Sequence, residues 1–177
     1  MGENFSADVY VLNDQFEPVE SANFSVMLME TNGTIWFEHQ GSDRADANSS
    51  RKIYQIQKQI PSSYKGKTLF LIARLFDHDQ TLISENIYPI AISENESVDE
   101  NSEQVYFNIF KDMNSLPQIS LQGEVIKPEI RLTENRGEAT LKLTNPSDSL
   151  AFFIRIRLDN EDEKLTAFYS NNYFSLL

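Results

Sequence analysis

Apolar and polar residues alternate with a period of two along most of this chain. From residue 5 to residue 11 the odd positions are apolar, whereas Ser6 and Asp8 occupy the positions between them. The same alternation recurs over residues 24–28, with Ser25 among the polar positions. Because successive side chains of a strand point to opposite faces, the pattern predicts strands with one buried and one solvent-exposed face.

Turn signals divide the first half of the chain into short strands. Asn32-Gly33 predicts a hairpin turn, the polar residues 41–50 predict a loop, and Pro61-Ser62-Ser63 predicts a break. The predicted strands of this half cover residues 5–11, 24–28, 34–37, 53–60, 69–76 and 82–90.

The second half shows the same organisation. Residues 145–148 and the acidic residues 159–164 predict turns. In residues 152–158 the apolar positions again alternate with Arg155 and Arg157, which predicts a strand with its core side on one face. The predicted strands of this half cover residues 119–124, 129–133, 139–144, 152–158 and 165–169.

The fold class follows from this spacing. No segment has an apolar stripe of helical period, and strands recur at short intervals, which is typical of antiparallel sandwiches. Residues 93–104 are too polar to form a core. The sequence therefore predicts an all-β chain with two tandem immunoglobulin-like antiparallel β-sandwiches, residues 1–92 and 117–177, joined by an acidic connection at 93–116.

Composition and charge exclude several classes of function. The formal net charge of -12, with only 15 basic residues, argues against binding to nucleic acid or to an anionic membrane surface. The absence of cysteine excludes disulfides, thiolate metal sites and a cysteine nucleophile. No apolar run reaches the roughly 20 residues of a membrane span, and the N-terminus lacks the features of a signal peptide. In a fragment, a targeting signal would lie upstream.

Two stretches near the C-terminus carry a family resemblance. Residues 141–155, LKLTNPSDSLAFFIR, and residues 168–177, FYSNNYFSLL, resemble the C-terminal immunoglobulin-like domain of glycoside hydrolase family 2, in its β-mannosidase and exo-β-D-glucosaminidase branch. Residues 7–14, ADVYVLND, are similar to the preceding immunoglobulin-like domain of the same enzymes.

The sequence departs from the family pattern at three places. Tyr169 stands where the family often has Trp, and Asn171 stands where it often has Asp. The chain stops at Leu177, before the Pro-Gly-Glu turn and the last strands of the family. We therefore expect the second sandwich to lack part of a sheet, with an edge available for pairing with another chain.

The resemblance implies a non-catalytic accessory region, with no cofactor, from a hydrolase that acts on carbohydrate. The catalytic glutamates of the family lie on a barrel that this chain lacks, so the implied partner is the catalytic barrel of the same polypeptide, with carbohydrate as a second partner. The parent enzyme is expected in the periplasm or medium of a bacterium. The residues implied at the rim of the active site, or in contact with sugar, are Tyr169, Asn171, Asn172 and Tyr173.

Three alternatives compete with parts of this interpretation. Asp77-His78-Asp79 combines carboxylates with an imidazole, as a metal site would, although a hairpin turn explains it more simply. Aromatic side chains could stack on sugars or pack in the core, and core packing is favoured for Trp36. A free-standing carbohydrate-binding or protein-interaction sandwich is the competing function. The aromatic candidates are Trp36, Tyr54, Tyr88, Tyr106 and Tyr169.

Overall fold

The computed structural model describes residues 3–92, 110–131, 136–158, 167–169 and 173–177. The chain divides into two compact units, unit 1 (Met1–Leu116) and unit 2 (Pro117–Leu177). Within the described ranges every extended segment belongs to an antiparallel pair, and the only helices are two short 3-10 turns. The prediction of an all-β chain is confirmed.

Unit 1 contains two antiparallel sheets. Strands β1 and β4 form one of them, and the other has the order β3-β2-β5-β6. Of the two 3-10 turns, Ser62–Tyr64 follows β4 and Lys111–Ser115 lies at the end of the unit. The strands are β1 (Glu3–Asn13), β2 (Val19–Glu30), β3 (Ile35–Ala45), β4 (Ser49–Ile60), β5 (Thr68–Phe76) and β6 (Leu82–Ala91).

The apolar residues that alternate along β1 contribute to the core of unit 1. On β1, Phe5, Ala7 and Val9 pack against a cluster of buried residues contributed by β2 and β4, as the period-two pattern predicts. A second cluster joins the end of β4 to β5 and to the residue that follows β6. The buried members are Phe24, Val26, Leu28 and Ile56 in the first cluster and Ile60, Leu69 and Ile92 in the second.

The prediction of one solvent-exposed face is wrong for β2. Ser25, Met27 and Met29 are buried as completely as the apolar residues between them. Strand β2 lies between β3 and β5, and the next strand also carries buried residues on that face, Phe70 and Ile72, opposite Met29 and Met27. Both faces of this central strand are therefore buried, although the polar residue Ser25 suggests that one face is exposed to solvent.

Two predicted turns are present. Gly33 has a φ of 90°, its N–H donates to the Glu30 carbonyl, and the Asn32 side chain accepts from the Thr34 N–H, which closes the β2–β3 hairpin. The second turn joins β5 to β6, where the Asp77 carboxylate accepts from two backbone N–H groups. Asp77-His78-Asp79 thus forms the hairpin turn that the sequence favoured.

The predicted loop at residues 41–50 is wrong. Strand β3 continues to Ala45 and β4 starts at Ser49, so only a tight turn separates them. The polar composition reflects the edge position of β3 in its sheet, where side chains reach solvent and Arg44 and Asp43 form ion pairs with half-exposed partners. Such exposed pairs add little to stability.

The described part of unit 2 contains two two-stranded antiparallel sheets. Strands β7 (Gln122–Arg131) and β8 (Arg136–Thr144) form one, and β9 (Ala151–Ile154) and β10 (Phe174–Leu176) form the other. The two predicted strands at 119–124 and 129–133 are one continuous strand, β7. Its pairing shifts between Ile126 and Glu129, around Pro128, which has no N–H to donate to the ladder.

The predicted strand at 152–158 is shorter than expected. Strand β9 ends at Ile154, and Leu158 is 48% exposed rather than buried. Phe153 has a φ of 58°, which interrupts the extended backbone that strand pairing needs. The predicted turn at 159–164 lies outside the described residues, and so do residues 165 and 166 of the predicted strand at 165–169. Residues 167–169 of that segment are described and do not belong to a strand.

An asparagine at the end of β1 forms hydrogen bonds with two connecting segments of unit 1. The Asn13 side-chain amide donates to the carbonyls of Glu17, Ala45 and Asp46 at 2.9–3.3 Å, and its carbonyl oxygen accepts from the Gln15 N–H at 3.1 Å. The side chain therefore ties the β1–β2 loop to the β3–β4 turn.

Unit 2 repeats this arrangement after β8. The Asn145 amide donates to the Ser149 carbonyl at 2.7 Å and to the Leu176 carbonyl at 3.0 Å. Its carbonyl oxygen accepts from the Ser147 N–H at 3.1 Å. Both asparagine side chains thus form hydrogen bonds to the residues two and four positions ahead and to the end of a strand far along the chain. The same hydrogen-bond arrangement therefore occurs in both units.

We expect Asn13→Ala to lower the free energy of unfolding of unit 1 by about 1–3 kcal/mol, because buried carbonyls would lose their donor. Asn13 is only 7% exposed. Urea unfolding followed by circular dichroism measures the loss. Asn4→Ala is the matched control, since Asn4 is exposed on the same strand, and an equal loss in both variants would contradict the assigned role.

Candidate functional site

Two of the four site residues implied by the resemblance lie in the described part of unit 2. Tyr169 is 39% exposed and Tyr173 is 49% exposed. The Leu158 N–H donates to the Tyr169 hydroxyl at 2.6 Å, which fixes the position of that ring. Asn171 and Asn172 lie outside the described residues.

The structure places Tyr173 beside a residue that the sequence did not single out, Phe153. The two ring centroids are 5.2 Å apart, and the ring planes are inclined by 39°. Phe153 is 60% exposed. The register of the short sheet joins Phe174 to Ile154, which puts Tyr173 across from Arg155 and Phe153 across from Ser175. Phe153 and Tyr173 are therefore diagonal neighbours at the end of β9 and the start of β10. We call Phe153, Tyr173 and Arg155 the aromatic face.

The backbone of the aromatic face is unusual. Phe153 and Tyr173 have φ values of 58° and 59°, in the left-handed region that side chains with a Cβ rarely adopt. The Ser175 hydroxyl accepts from the Phe153 N–H at 3.1 Å and holds this conformation. Local strain of this kind concentrates at functional sites, and nothing in the sequence pattern reveals it.

A cation completes the aromatic face. The Arg155 guanidinium lies 5.8 Å from the centre of the Tyr173 ring, within the range of an attractive cation–π contact. Arg155 itself is exposed. The face therefore combines two aromatic rings with a group that can donate several hydrogen bonds.

Two of the four aromatic candidates in unit 1, Trp36 and Tyr54, pack against other aromatic rings. Trp36 packs against both core clusters, and its ring lies 5.7 Å from the ring of Tyr64. Tyr54 stacks on His39 with centroids 3.8 Å apart. Tyr88 is 51% exposed, and Tyr106 lies outside the described residues. Core packing of Trp36, which the sequence favoured over sugar binding, agrees with these contacts.

Tyr64 and Glu30 form a polar contact at the edge of this core. The Tyr64 hydroxyl donates to Glu30 Oε1 at 2.9 Å. Burial, followed by this hydrogen bond and the charge of Glu30, raises the pKa of Tyr64. The phenol is therefore kept as a neutral donor at ordinary pH.

The β5–β6 turn brings a carboxylate close to His78. His78 Nε2 lies 3.1 Å from Asp79 Oδ2, and both side chains are more than 70% exposed. In the described part of the chain, no three His, Cys, Asp or Glu side chains are grouped so that they could hold a metal ion. Among the same residues, no helix is long and apolar enough to cross a membrane.

Comparison with protein families assigns each part of the chain separately. Residues 6–91 match the family described as the mannosidase Ig/CBM-like domain. Residues 102–177 match the family described as the exo-beta-D-glucosaminidase Ig-fold domain. No curated protein matches this sequence.

Solved structures show the same fold. The chain is similar to the exo-chitosanase CsxA of Amycolatopsis orientalis, with a TM-score of 0.63 and 16% identity, over 84% of this chain and 18% of the exo-chitosanase. A variant of that enzyme in complex with PNP-beta-D-glucosamine gives a TM-score of 0.62 and 14% identity over the same shares. The chain therefore spans less than a fifth of the length of these enzymes, and at this identity the likeness concerns the fold.

Proposed function

The chain belongs to the immunoglobulin-like domains of glycoside hydrolase family 2 enzymes, and from this premise we propose that it braces the catalytic barrel of such an enzyme without catalysing hydrolysis itself. The parent enzyme would act on carbohydrate as a β-mannosidase or an exo-β-D-glucosaminidase does. The catalytic barrel of the same polypeptide is the proposed partner.

One observation supports this proposal above the others. Immunoglobulin-like families match residues 6–91 and 102–177, so nearly the whole chain is accounted for by such domains. A catalytic barrel of the (β/α)₈ type needs about 250 residues and alternating helices and strands. The chain has 177 residues, and its described part contains strands and two 3-10 turns.

The chemistry of the reaction supports the same conclusion. Retaining glycosidases need two carboxyl groups about 5–5.5 Å apart, one as nucleophile and one as acid and base. Among the described acidic residues, Asp77 holds a turn and Asp43 forms an ion pair, whereas Glu30 and Asp112 accept hydrogen bonds from Tyr64 and Thr68. Each of these carboxylates thus has a structural explanation that does not require a catalytic role.

Two partly exposed tyrosines of unit 2 suggest a location for the accessory role. We place Tyr169 and Tyr173 at the rim of the parent's active site. Tyr173 directly precedes β10, and the Leu158 N–H donates to the Tyr169 hydroxyl. Both tyrosines are partly exposed, which suits contact with a neighbouring domain or with its substrate.

Activity measurements test the proposal. We expect no hydrolysis of the p-nitrophenyl β-mannoside, β-glucosaminide or β-galactoside by this chain alone, and turnover by the full polypeptide encoded with it in its genomic context. Hydrolysis by the chain alone, at a rate that survives further purification, would show that its own carboxylates are catalytic. Inactivity of the full polypeptide on all such glycosides would also contradict the proposal.

A further inference from the structure

We propose that unit 1 receives one further β-strand from the parent polypeptide, which pairs with the open edge of β1 and covers the adjoining face of β5 and β6. We call this docking surface the β1 shelf; it consists of the β1 edge together with Leu71, Leu75 and Tyr88. The proposal deepens the accessory function by naming a contact with the parent, and it rests on that function for the existence of the parent polypeptide. Hydrogen exchange tests it independently of catalysis.

The two sheets of unit 1 differ in width. Among the described residues β1 pairs only with β4, whereas the facing sheet has four strands. Strand β4 lies across β3, because the rings of Tyr54 and His39 stack with centroids 3.8 Å apart. Lys58 Nζ also lies 4.3 Å from the centre of the Phe37 ring. The inward side chains of β1 pack against the buried residues of β2, so β5 and β6 extend beyond the free edge of β1.

The face of β5 and β6 beside this edge is incompletely covered. Leu71 and Leu75 on β5 pack against the first core cluster but are only half-buried. Their partners on β6 are Tyr88 and Ser84, and opposite residues of an antiparallel pair share a face. Tyr88 therefore lies on the core side of its sheet, yet it is 51% exposed, and Ser84 is exposed as well. This face has room for a covering strand.

Strand β1 shows the same incomplete burial. Phe5, Ala7 and Val9 face the core but are only half-buried. On the central strand β2, by contrast, Val26 and Leu28 are 1% and 0% exposed. A strand added at the β1 edge would cover the inward side chains of β1 from their open side, because strands of one sheet lie less than about 5 Å apart.

Among the edge strands of unit 1, β1 has the fewest features that prevent strand addition. Charged side chains, proline and bulges protect sheet edges. On β1 the charges are Glu3, at its first position, and Asp8, which is paired with Lys52 at 2.7 Å. The irregularity of the β1–β4 ladder places its extra residue, Ile53, on β4. The protective residues of the other edges are Glu38, Asp43 and Arg44 on β3, Arg51, Lys52 and Lys58 on β4, and Pro89 on β6.

The overhang of β5 and β6 favours a single strand over a second copy of this chain. Two copies paired through β1 about a two-fold axis would keep their core faces on the same side of the joined sheet. The overhanging strands of both copies would then occupy the same space. The net charge of -12 also opposes self-association. An extended segment meets neither obstacle, and strand addition at a sheet edge is a recurring mode of recognition.

Hydrogen–deuterium exchange at single-residue resolution tests the proposal. The proteins are this chain alone and the full polypeptide encoded with it in its genomic context. In an antiparallel ladder every second N–H of a strand points away from its partner, so every second amide of residues 4–9 points to the open edge. We expect these amides to exchange at least about tenfold more slowly in the full polypeptide, because they donate to the added strand.

Two matched variants of the full polypeptide test the role of the shelf. Tyr88→Lys places a charge where the apolar side chains of the added strand would lie, and it should restore fast exchange of the β1 amides. Leu82→Lys is the control, because Leu82 lies on the same strand with 48% exposure. It is paired with Phe76, which follows Leu75 and so points to the other face. This variant should keep the slow exchange.

The position of the added strand is identified by a photo-cross-linking p-benzoylphenylalanine at position 88 of the full polypeptide. We expect one cross-linked segment, from outside this chain but within the same polypeptide. Equal exchange of the β1 amides in both proteins, or slow exchange that Tyr88→Lys leaves intact, would overturn the proposal. A cross-link to a second copy, or to residues 93–109 of the chain itself, would also overturn it. Slow exchange without glycoside hydrolysis would keep the strand and contradict the accessory function, and the reverse result would do the opposite.

Discussion

Replacing Phe70 by alanine is expected to lower the free energy of unfolding of unit 1 by about 3–5 kcal/mol. Phe70 is fully buried and heads the largest completely buried side chains of the described residues. It lies in β5, opposite Met29 on one side and Pro89 on the other. Truncation to alanine removes most of a ring from a close-packed region, and β strands on both sides limit how far the cavity can collapse.

Chemical unfolding by urea, monitored by far-ultraviolet circular dichroism, measures this effect. Leu82→Ala is the control, because Leu82 lies on the adjacent strand β6 and is 48% exposed. We expect the control to change stability by less than about 0.5 kcal/mol. A loss below about 1 kcal/mol for Phe70→Ala would mean that this face of the sheet does not belong to the folded core.

The Phe70 prediction depends on a feature that the period-two pattern of the sequence did not supply. Alternation correctly predicts β1, where one face is polar and exposed. In β2 and β5 the apolar positions run together, as in Val26-Met27-Leu28-Met29, and burial on both faces is the structural counterpart of such a run. A prediction from every second position alone misses the core residues on the other face of these strands.

Turns were predictable where a side chain or a glycine determines them locally. Asn32 and Asp77 each accept a backbone N–H two residues ahead, and this bond is available as soon as the segment bends. In the 41–50 segment such determinants are confined to the turn itself, where Asn48 has a φ of 45° and the Ser49 hydroxyl donates to the Asp46 carbonyl. Its strand is held by pairing with β2, a long-range interaction that composition does not report, because Gly, Ser and Asp residues also suit an edge strand.

The candidate site was predictable only in part. The family resemblance pointed to Tyr169 and Tyr173, which are both exposed in unit 2. The alternation predicts that Phe153 and Arg155 lie in a regular strand, and their position beside Tyr173 became visible only with the left-handed φ of Phe153 and the register of β9 with β10. A positive φ at an aromatic residue has no signature in sequence, because such residues disfavour it.

Gly41→Ala is expected to destabilise unit 1 by about 1–3 kcal/mol, although it adds a single methyl group. A Cβ at position 41 would lie 2.6 Å from Cζ of Phe24 and 2.8 Å from its Cε1. The two residues are directly opposite each other on β3 and β2, and the Phe24 ring is buried in the first core cluster. The ring therefore covers the glycine on the edge strand and has little room to move aside.

A double-mutant cycle with Phe24→Leu isolates this contact. Leucine lacks the distal ring atoms that a Cβ at position 41 would meet, so Gly41→Ala should become neutral or slightly stabilising in that background, because alanine reduces the entropy of the unfolded chain. The coupling energy should be about 1–3 kcal/mol. Gly123→Ala is the control, since its Cβ would meet Leu143 at an ordinary 3.5 Å. Equal losses for Gly41→Ala in both backgrounds would show that the Phe24 ring does not require the glycine.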